Sequence, residues 1–213
     1  MPTVFGASPS PFVRKVRVAL AEKDVPYDLV PVFPGAADAD YRKMSPLGKI
    51  PAFKDGEHTL CDSSVICAYV ERVHPTPALY PADPYEYARA LWFEEYGDSA
   101  LVGVFGPKIF FEKVVAPAFF KRATNQDVVD KAVAEEVPPL CAYLEGQLAG
   151  EFLVGDRLSI GDLGIASPFV NLRHAGYGVD AARFPKLAAY VERMLARPSF
   201  ASCLPDERAM LGL

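Results

Sequence analysis

The chain has 213 residues, 51% hydrophobic and 23% charged, which is enough to bury one large core or two smaller ones and speaks against disorder. With 22 Lys and Arg against 27 Asp and Glu the net charge is −5, and no basic stretch is dense enough to follow a phosphate backbone, so nucleic acid is not an expected partner. No apolar run approaches the roughly 20 residues of a membrane helix, and Arg14, Lys15 and Arg17 stand where a secretory signal would be apolar, so a cytoplasmic protein with no membrane partner is expected.

Taken in chain order, Thr3 to Gly6 is a short apolar run, followed by Ser10-Pro11 and then Val13, Val16 and Leu20 at helical spacing. This predicts strand, turn, helix. Tyr27 to Val32 is a second strand candidate and Asp38 to Met44 a short helix. Ile50 to Lys54 and Thr59-Leu60 flank the hairpin-turn dipeptide Asp55-Gly56. A helix is predicted from Ser63 to Val73, stopped by His74-Pro75-Thr76-Pro77. Pro75, Pro77, Pro81 and Pro84 read as a stiff connector. The division expected is therefore residues 1–77, a linker over 78–86, and an all-helical part over 87–213. In that part a long helical pattern begins near Glu86 and is weakened by Gly97, Gly103 and Gly106-Pro107. Another runs from Gln126 to Leu148, and Pro138-Pro139 inside it forces a break or a bend. Ser159-Ile160-Gly161-Asp162 has the form of a helix N-terminal capping box. The stripe Leu187, Tyr190, Val191, Met194, Leu195 defines a last amphipathic helix ending at Arg197-Pro198.

Three places could carry chemistry, and each has a plain structural reading beside the functional one. Ser10 followed by Pro11 is an N-cap serine with proline at the first helical position; the same hydroxyl, in the field of a helix N-terminus, could donate to a bound anion. Pro51, at the start of a strand, is either an ordinary trans proline or a cis one that leaves the Ile50 backbone open to an extended peptide. Asp62-Ser63-Ser64 caps the next helix, or grips a zwitterion by its two ends, Asp62 taking an ammonium and Ser63 a carboxylate. Cys61, Cys67, Cys141 and Cys203 lack metal or disulfide-scaffold spacing, and His58, His74 and His174 are too scattered for a metal site. Tyr85, Tyr87, Trp92 and Phe93 read as packing, or as a contact between subunits.

In order, Ser10-Pro11-Phe12-Val13-Arg14-Lys15-Val16, Pro46-Leu47-Gly48-Lys49-Ile50-Pro51-Ala52-Phe53 and Leu60-Cys61-Asp62-Ser63-Ser64-Val65-Ile66 resemble the glutathione-site segments of cytosolic glutathione transferases. The serine-using tau, phi and theta classes, in bacterial style, are the nearest likeness. Ser159 to Asp162 resembles that family's capping box, and Arg197-Pro198-Ser199-Phe200 the end of its last shared helix. The resemblance implies a thioredoxin-like N-terminal domain followed by an all-helical domain, and a homodimer. It implies an enzyme that activates the thiol of glutathione for attack on a hydrophobic electrophile, with glutathione as co-substrate and no cofactor or metal. Ser10 would donate to the sulfur, with Ser8 as its rival; Ile50, presented by a cis Pro51, would pair with the cysteinyl unit. Asp62 and Ser63 would hold the γ-glutamyl end, and Lys49 the glycyl carboxylate. The family often has a basic residue after the second strand, where this chain has Phe33-Pro34-Gly35-Ala36-Ala37; Arg42 or Lys43 could substitute. Asp62 stands where glutamate is commoner. The absence of cysteine at position 10 argues against thiol-exchange reductases. Phe12, Val13, Phe105 and Ile109 are candidates for the electrophile site, the last two equally readable as core. Isomerisation, dehalogenation or mere glutathione binding are the competing functions.

Overall fold

The computed structural model describes residues 1–213 except Pro34, Ala36 and Ala37. The chain divides into two compact units, Met1–Leu79 with Pro198–Met210, and Tyr80–Arg197 with Leu211–Leu213.

In the first unit a sheet of strand order β2-β1-β3-β4 is built from β1 (Thr3–Phe5), β2 (Asp28–Val30), β3 (Ala52–Asp55) and β4 (His58–Cys61). β1 runs parallel to β2 and antiparallel to β3, and β3 antiparallel to β4. Between them lie α1 (Pro11–Glu22) and α2 (Ala39–Met44), and α3 (Ser63–Val73) follows β4. α1 and α3 pack on each other, and Val16, Leu20, Ile66 and Val70 on these helices are all at most 1% exposed. This is the thioredoxin-like arrangement expected. Asp55-Gly56 forms the β3–β4 turn, with Gly56 at φ 56°, a conformation that glycine adopts without steric cost.

The proline segment after α3 is fastened rather than loose. Lys23, whose side chain is fully buried, pairs with Glu71 (2.7 Å) and donates to the carbonyls of His74 (2.8 Å) and Pro77 (2.7 Å), and Glu71 accepts from the Leu79 N–H. A buried ammonium requires such partners, and they carry the unit on to Leu79, past the expected limit at residue 77.

The second unit begins earlier than expected as helix. α4 spans Pro84–Glu95, because Asp83 caps it through Tyr85 N and Glu86 N and Pro84 occupies the first turn; a proline there starts a helix, as its missing N–H would be unpaired anyway. The glycines and prolines after it do not break the pattern but widen its winding. Tyr96–Leu101, Phe105–Val115 and Ala132–Glu136 are π-helical, joined by α5 (Val102–Val104), α6 (Ala116–Phe120), α7 (Gln126–Lys131) and α8 (Val137–Gln147). Pro107 sits inside such a stretch and Pro138-Pro139 in the first turn of α8, positions where the lost backbone donor is tolerated. α9 (Ile160–His174) is the centre of this unit, buried from Ile160 to Leu172 on every side, as a helix without a polar face must be. Its capping box forms: the Asp162 carboxylate accepts from Ser159 N (2.8 Å) and Oγ (2.9 Å), and also from Leu153 N and the Tyr190 hydroxyl of α10 (Pro185–Leu195).

Two expectations need correction here. α10 ends at Leu195, and Pro198 opens a new short helix, α11 (Pro198–Ala201), followed by α12 (Leu204–Leu211). Residues 198–210 belong to the first unit, not to the helical one. The reason is chemical: α1 buries Arg14 and Arg17, whose charges need carboxylates, and α12 supplies Glu207 and Asp206.

Candidate functional site

Strand register brings the candidate residues of the first unit to one edge of the sheet. Phe5 at the end of β1 pairs with Ala52 at the start of β3, and Ala52 pairs with Cys61 at the end of β4. The residues just after β1, just before β3 and just after β4 therefore emerge side by side, and these are the segments holding Ser10, Ile50-Pro51 and Asp62-Ser63. Two contacts tie them together. Gly6 has no side chain because a Cβ there would lie 2.4 Å from Val13 Cγ2 and 3.3 Å from Ile50 Cβ. Lys15, fully buried, donates from Nζ to Ser64 Oγ at 3.0 Å, linking α1 to the first turn of α3.

Ser10 is the N-cap of α1, extended at φ −68°, ψ 128°, and half-buried; its Oγ accepts from Val13 N at a long 3.4 Å. The cap reading is thus realised, while the hydroxyl proton is not consumed by that bond. Ser8 differs. It is 1% exposed, and its Oγ accepts from Arg17 Nη1 at 2.7 Å.

The Ile50–Pro51 bond is cis, and Ile50 lies ahead of Ala52, the first residue of the ladder. The Lys49 carbonyl before it is held by two donors, Tyr41 Oη at 2.8 Å and Ser45 Oγ at 2.7 Å. Burial pushes the Tyr41 phenol above its ordinary range, so it stays a donor. Sequence reasoning missed both residues; the only available signal was a tyrosine and a serine on the short stretch before Gly48-Lys49. Lys49 is exposed. The Arg42 guanidinium lies against Gly48, where a Cβ would come within 3.0 Å of Nη1, and Gly48 itself is at φ 65°. Lys43 instead pairs with Asp40 at 2.6 Å. The expectation of a missing basic residue concerns Phe33 to Ala37, of which Pro34, Ala36 and Ala37 lie outside the described residues.

Asp62 caps α3, accepting from Ser64 N (2.9 Å) and Val65 N (3.3 Å), and Ser63 behind it is 3% exposed. Asp62 is at φ 76°, ψ 129°, a region non-glycine residues occupy at a cost of roughly 1–3 kcal/mol and mostly at ligand clamps. One carboxylate oxygen, Oδ1, takes both N–H donors.

The electrophile candidates fare differently. Phe12 is part-exposed at the start of α1, but Val13 is fully buried against Gly6. Phe105 and Ile109 are 1% and 0% exposed in the core of the second unit, where Phe105 meets Phe169 edge-on at 5.3 Å. These three are packing residues, and an aromatic at helical spacing gives no sign in sequence of which role it has. Phe93 is likewise core, whereas Tyr85, Tyr87 and Trp92 are 74%, 43% and 46% exposed. Among the described residues no group of His, Cys, Asp and Glu could hold a metal ion, and no helix is long and apolar enough to cross a membrane.

Comparison with known proteins agrees with this geometry. The family models for the N-terminal and C-terminal domains of glutathione S-transferase match residues 4–78 and 102–198. Glutathione S-transferase 4 of Zea mays is 33% identical over 207 residues, covering 92% of this chain and 88% of its own. A probable maleylacetoacetate isomerase 1 of Drosophila melanogaster is 30% identical over 192 residues, covering 87% and 74%. Among solved structures, a glutathione S-transferase-I bound with lactoylglutathione superimposes with a TM-score of 0.85 at 25% identity, covering 96% of this chain and 99% of that one.

Proposed function

The chain belongs to the glutathione S-transferase family, and from that premise we propose that it is a serine-type glutathione transferase that ionises the thiol of bound glutathione with Ser10 and adds it to a small hydrophobic electrophile. The observation that carries this reading is the convergence of Ser10, Ile50 and Asp62-Ser63 at one sheet edge, set by the pairing of Phe5, Ala52 and Cys61.

The Ile50 backbone, outside the ladder, takes the cysteinyl unit of the tripeptide. Asp62 takes the γ-glutamyl ammonium through its carboxylate, and the Ser63 N–H and hydroxyl take the γ-glutamyl carboxylate at the α3 N-terminus. Lys49 and Arg42 take the glycyl carboxylate; Arg42 is favoured over Lys43 because Lys43 is already paired with Asp40. The sulfur then lies by Ser10 at the N-terminus of α1. A free thiol with a pKa of about 8.5 is only a few per cent ionised near neutral pH, and one hydrogen bond plus the helix field lowers it by about one to two units. The larger shift makes thiolate the main form, and the site holds it in place for attack. Exposed Tyr85, Tyr87 and Trp92 support association of two copies, and a cytoplasmic location accords with four cysteines that form no disulfide among the described residues.

Ser10→Ala tests the reading. Thiolate absorbance of bound glutathione at pH 6.5 and conjugation of an aryl halide should both fall, by up to about 50-fold, a return of about two pKa units being the ceiling because the helix field remains, while glutathione affinity stays within about threefold because the backbone and Asp62 contacts persist. Unchanged absorbance and rate would remove Ser10 from its role. The likeness to the Drosophila isomerase favours a second reading, in which the same activated thiol adds reversibly to a cis-alkene and is expelled after rotation; product analysis with a maleyl substrate separates the two.

A further inference from the structure

Two consecutive acids of α12 grip two arginines of α1, and each arginine holds one residue of the loop that ends at Ser10. Arg14 donates from Nε and Nη2 to both carboxylate oxygens of Glu207, at 2.6 and 2.7 Å, and from Nη2 to the carbonyl of Pro9 at 3.3 Å. Arg17 donates from Nη2 to Asp206 at 2.7 Å and from Nη1 to Ser8 Oγ at 2.7 Å, with Nε on the Tyr27 hydroxyl at 2.9 Å. Arg14 and Glu207 are fully buried. Ser10 N closes the loop on the Ala7 carbonyl, and Arg14 N donates to the Ser10 carbonyl.

We propose that the Asp206-Glu207 pair of α12, acting through Arg17 and Arg14, is a positioning device that fixes the Ser10 hydroxyl on the sulfur of glutathione. This rests on the assignment of Ser10 as sulfur donor. The reason for such a device lies in Ser10 itself: its own cap bond is long at 3.4 Å, so the cap alone holds the hydroxyl loosely. A hydrogen bond to a thiolate is sensitive to a few tenths of an ångström, so a loop left to relax weakens it before it weakens anything else in the site. A bidentate arginine–carboxylate pair is the stiffest side-chain link available for that purpose. The same link cannot be a local helix feature, since the carboxylates come from 193 and 189 residues away in sequence.

The test uses two variants of the full chain. Arg14→Met combined with Glu207→Leu removes the link while conserving buried volume and leaving the net charge at that place unchanged, so any effect is not one of field. Asp206→Ala removes an acid whose side chain is 59% exposed and leaves the fold little disturbed. The readouts are the pH titration of thiolate absorbance of bound glutathione and the separate kcat and KM for glutathione. In the double variant the titration midpoint moves up by about one pH unit, about a five- to tenfold loss of thiolate at pH 6.5, and kcat at that pH falls with it; the KM for glutathione stays within twofold and the loss disappears at high pH. Asp206→Ala moves the midpoint in the same direction by about a threefold change in thiolate fraction. A merely structural role lowers the amount of folded protein without moving the midpoint. Either variant titrating as the parent protein overturns the proposal while leaving Ser10 in place. If the parent protein itself shows no lowered midpoint, the Ser10 assignment fails and the positioning device with it.

Discussion

Gly97→Ala is expected to destabilise the protein although it places a better helix former in a helical segment. In the second unit α4, its π-helical continuation and α9 touch backbone to backbone through glycines. A Cβ on Gly97 would lie 2.3 Å from the Gly164 carbonyl oxygen, one on Gly164 would lie 2.8 Å from Glu94 Cα, and one on Gly161 would lie 2.9 Å from the Ala90 carbonyl oxygen. Ordinary contact begins near 3.4 Å, so Gly97→Ala asks the two backbones to part by about 1 Å, and dispersion contacts along the seam lose a quarter to a half of their depth at such a gap. Overpacking of this kind costs about 1–3 kcal/mol. The obstacle is a main-chain carbonyl that cannot rotate away, which places the cost at the upper end, and the gain from helix propensity offsets about 0.8–1 kcal/mol of it. The net loss is about 2 kcal/mol. Gly103→Ala is the control, because Gly103 lies in α5, is exposed and leaves open space within 4 Å of where a Cβ would stand; it should gain about 0.5–1 kcal/mol. Urea unfolding at matched protein concentration should separate the two variants by about 3 kcal/mol with equal m values. Variants that agree within about 0.5 kcal/mol would refute the close-approach argument.

Asp62→Asn keeps an oxygen for the Ser64 N–H and so should leave stability within about 0.5 kcal/mol, but it removes the charge that meets the ammonium. A charge-assisted hydrogen bond contributes about 1.5–3 kcal/mol, so calorimetry should give a glutathione affinity about 10- to 150-fold weaker, with discrimination against the desamino analogue lost; retained discrimination would contradict the assignment. Burial pushes the Cys141 thiol up to about 11, and Cys203 is raised by the same cause, whereas Cys61 is half-buried at the end of β4. A maleimide at pH 8 should therefore label Cys61 first in the native protein, since only about one Cys141 thiol in a thousand is ionised at that pH. Labelling of Cys141 should rise about tenfold per pH unit towards pH 11, and prompt modification of Cys141 at pH 8 would show its environment to be open.

Much of both units was legible where the signals are local. Ser63–Val73 is bounded by an acidic cap and a proline, Pro185–Leu195 by its own apolar stripe, and the hairpin by Asp55-Gly56, and each of these lies within a residue or two of its expected place. The segments of the site were legible as motifs for the same reason. What could not be read is non-local. The pairing of Arg14 with Glu207 depends on a separation of 193 residues, and nothing in the pattern of α12 distinguishes an acid that meets a buried arginine from one that meets water. Phe105 and Ile109 carry the spacing of either a core or a pocket, and only their neighbours in space decide. The π-helical windings were hidden because glycine and proline signal a disturbance of helix geometry without saying whether the chain stops or loosens.

The return of residues 198–210 to the first unit has a consequence for synthesis. On the ribosome, the sheet and α1 emerge before the helical unit, yet the carboxylates that neutralise Arg14 and Arg17 are translated only after residues 80–197 of that unit. The usual order, in which the leading portion of a chain settles before the trailing one, is therefore reversed at its final step here: the unit that starts to fold first is completed only once all but residues 211–213 of the other have been made.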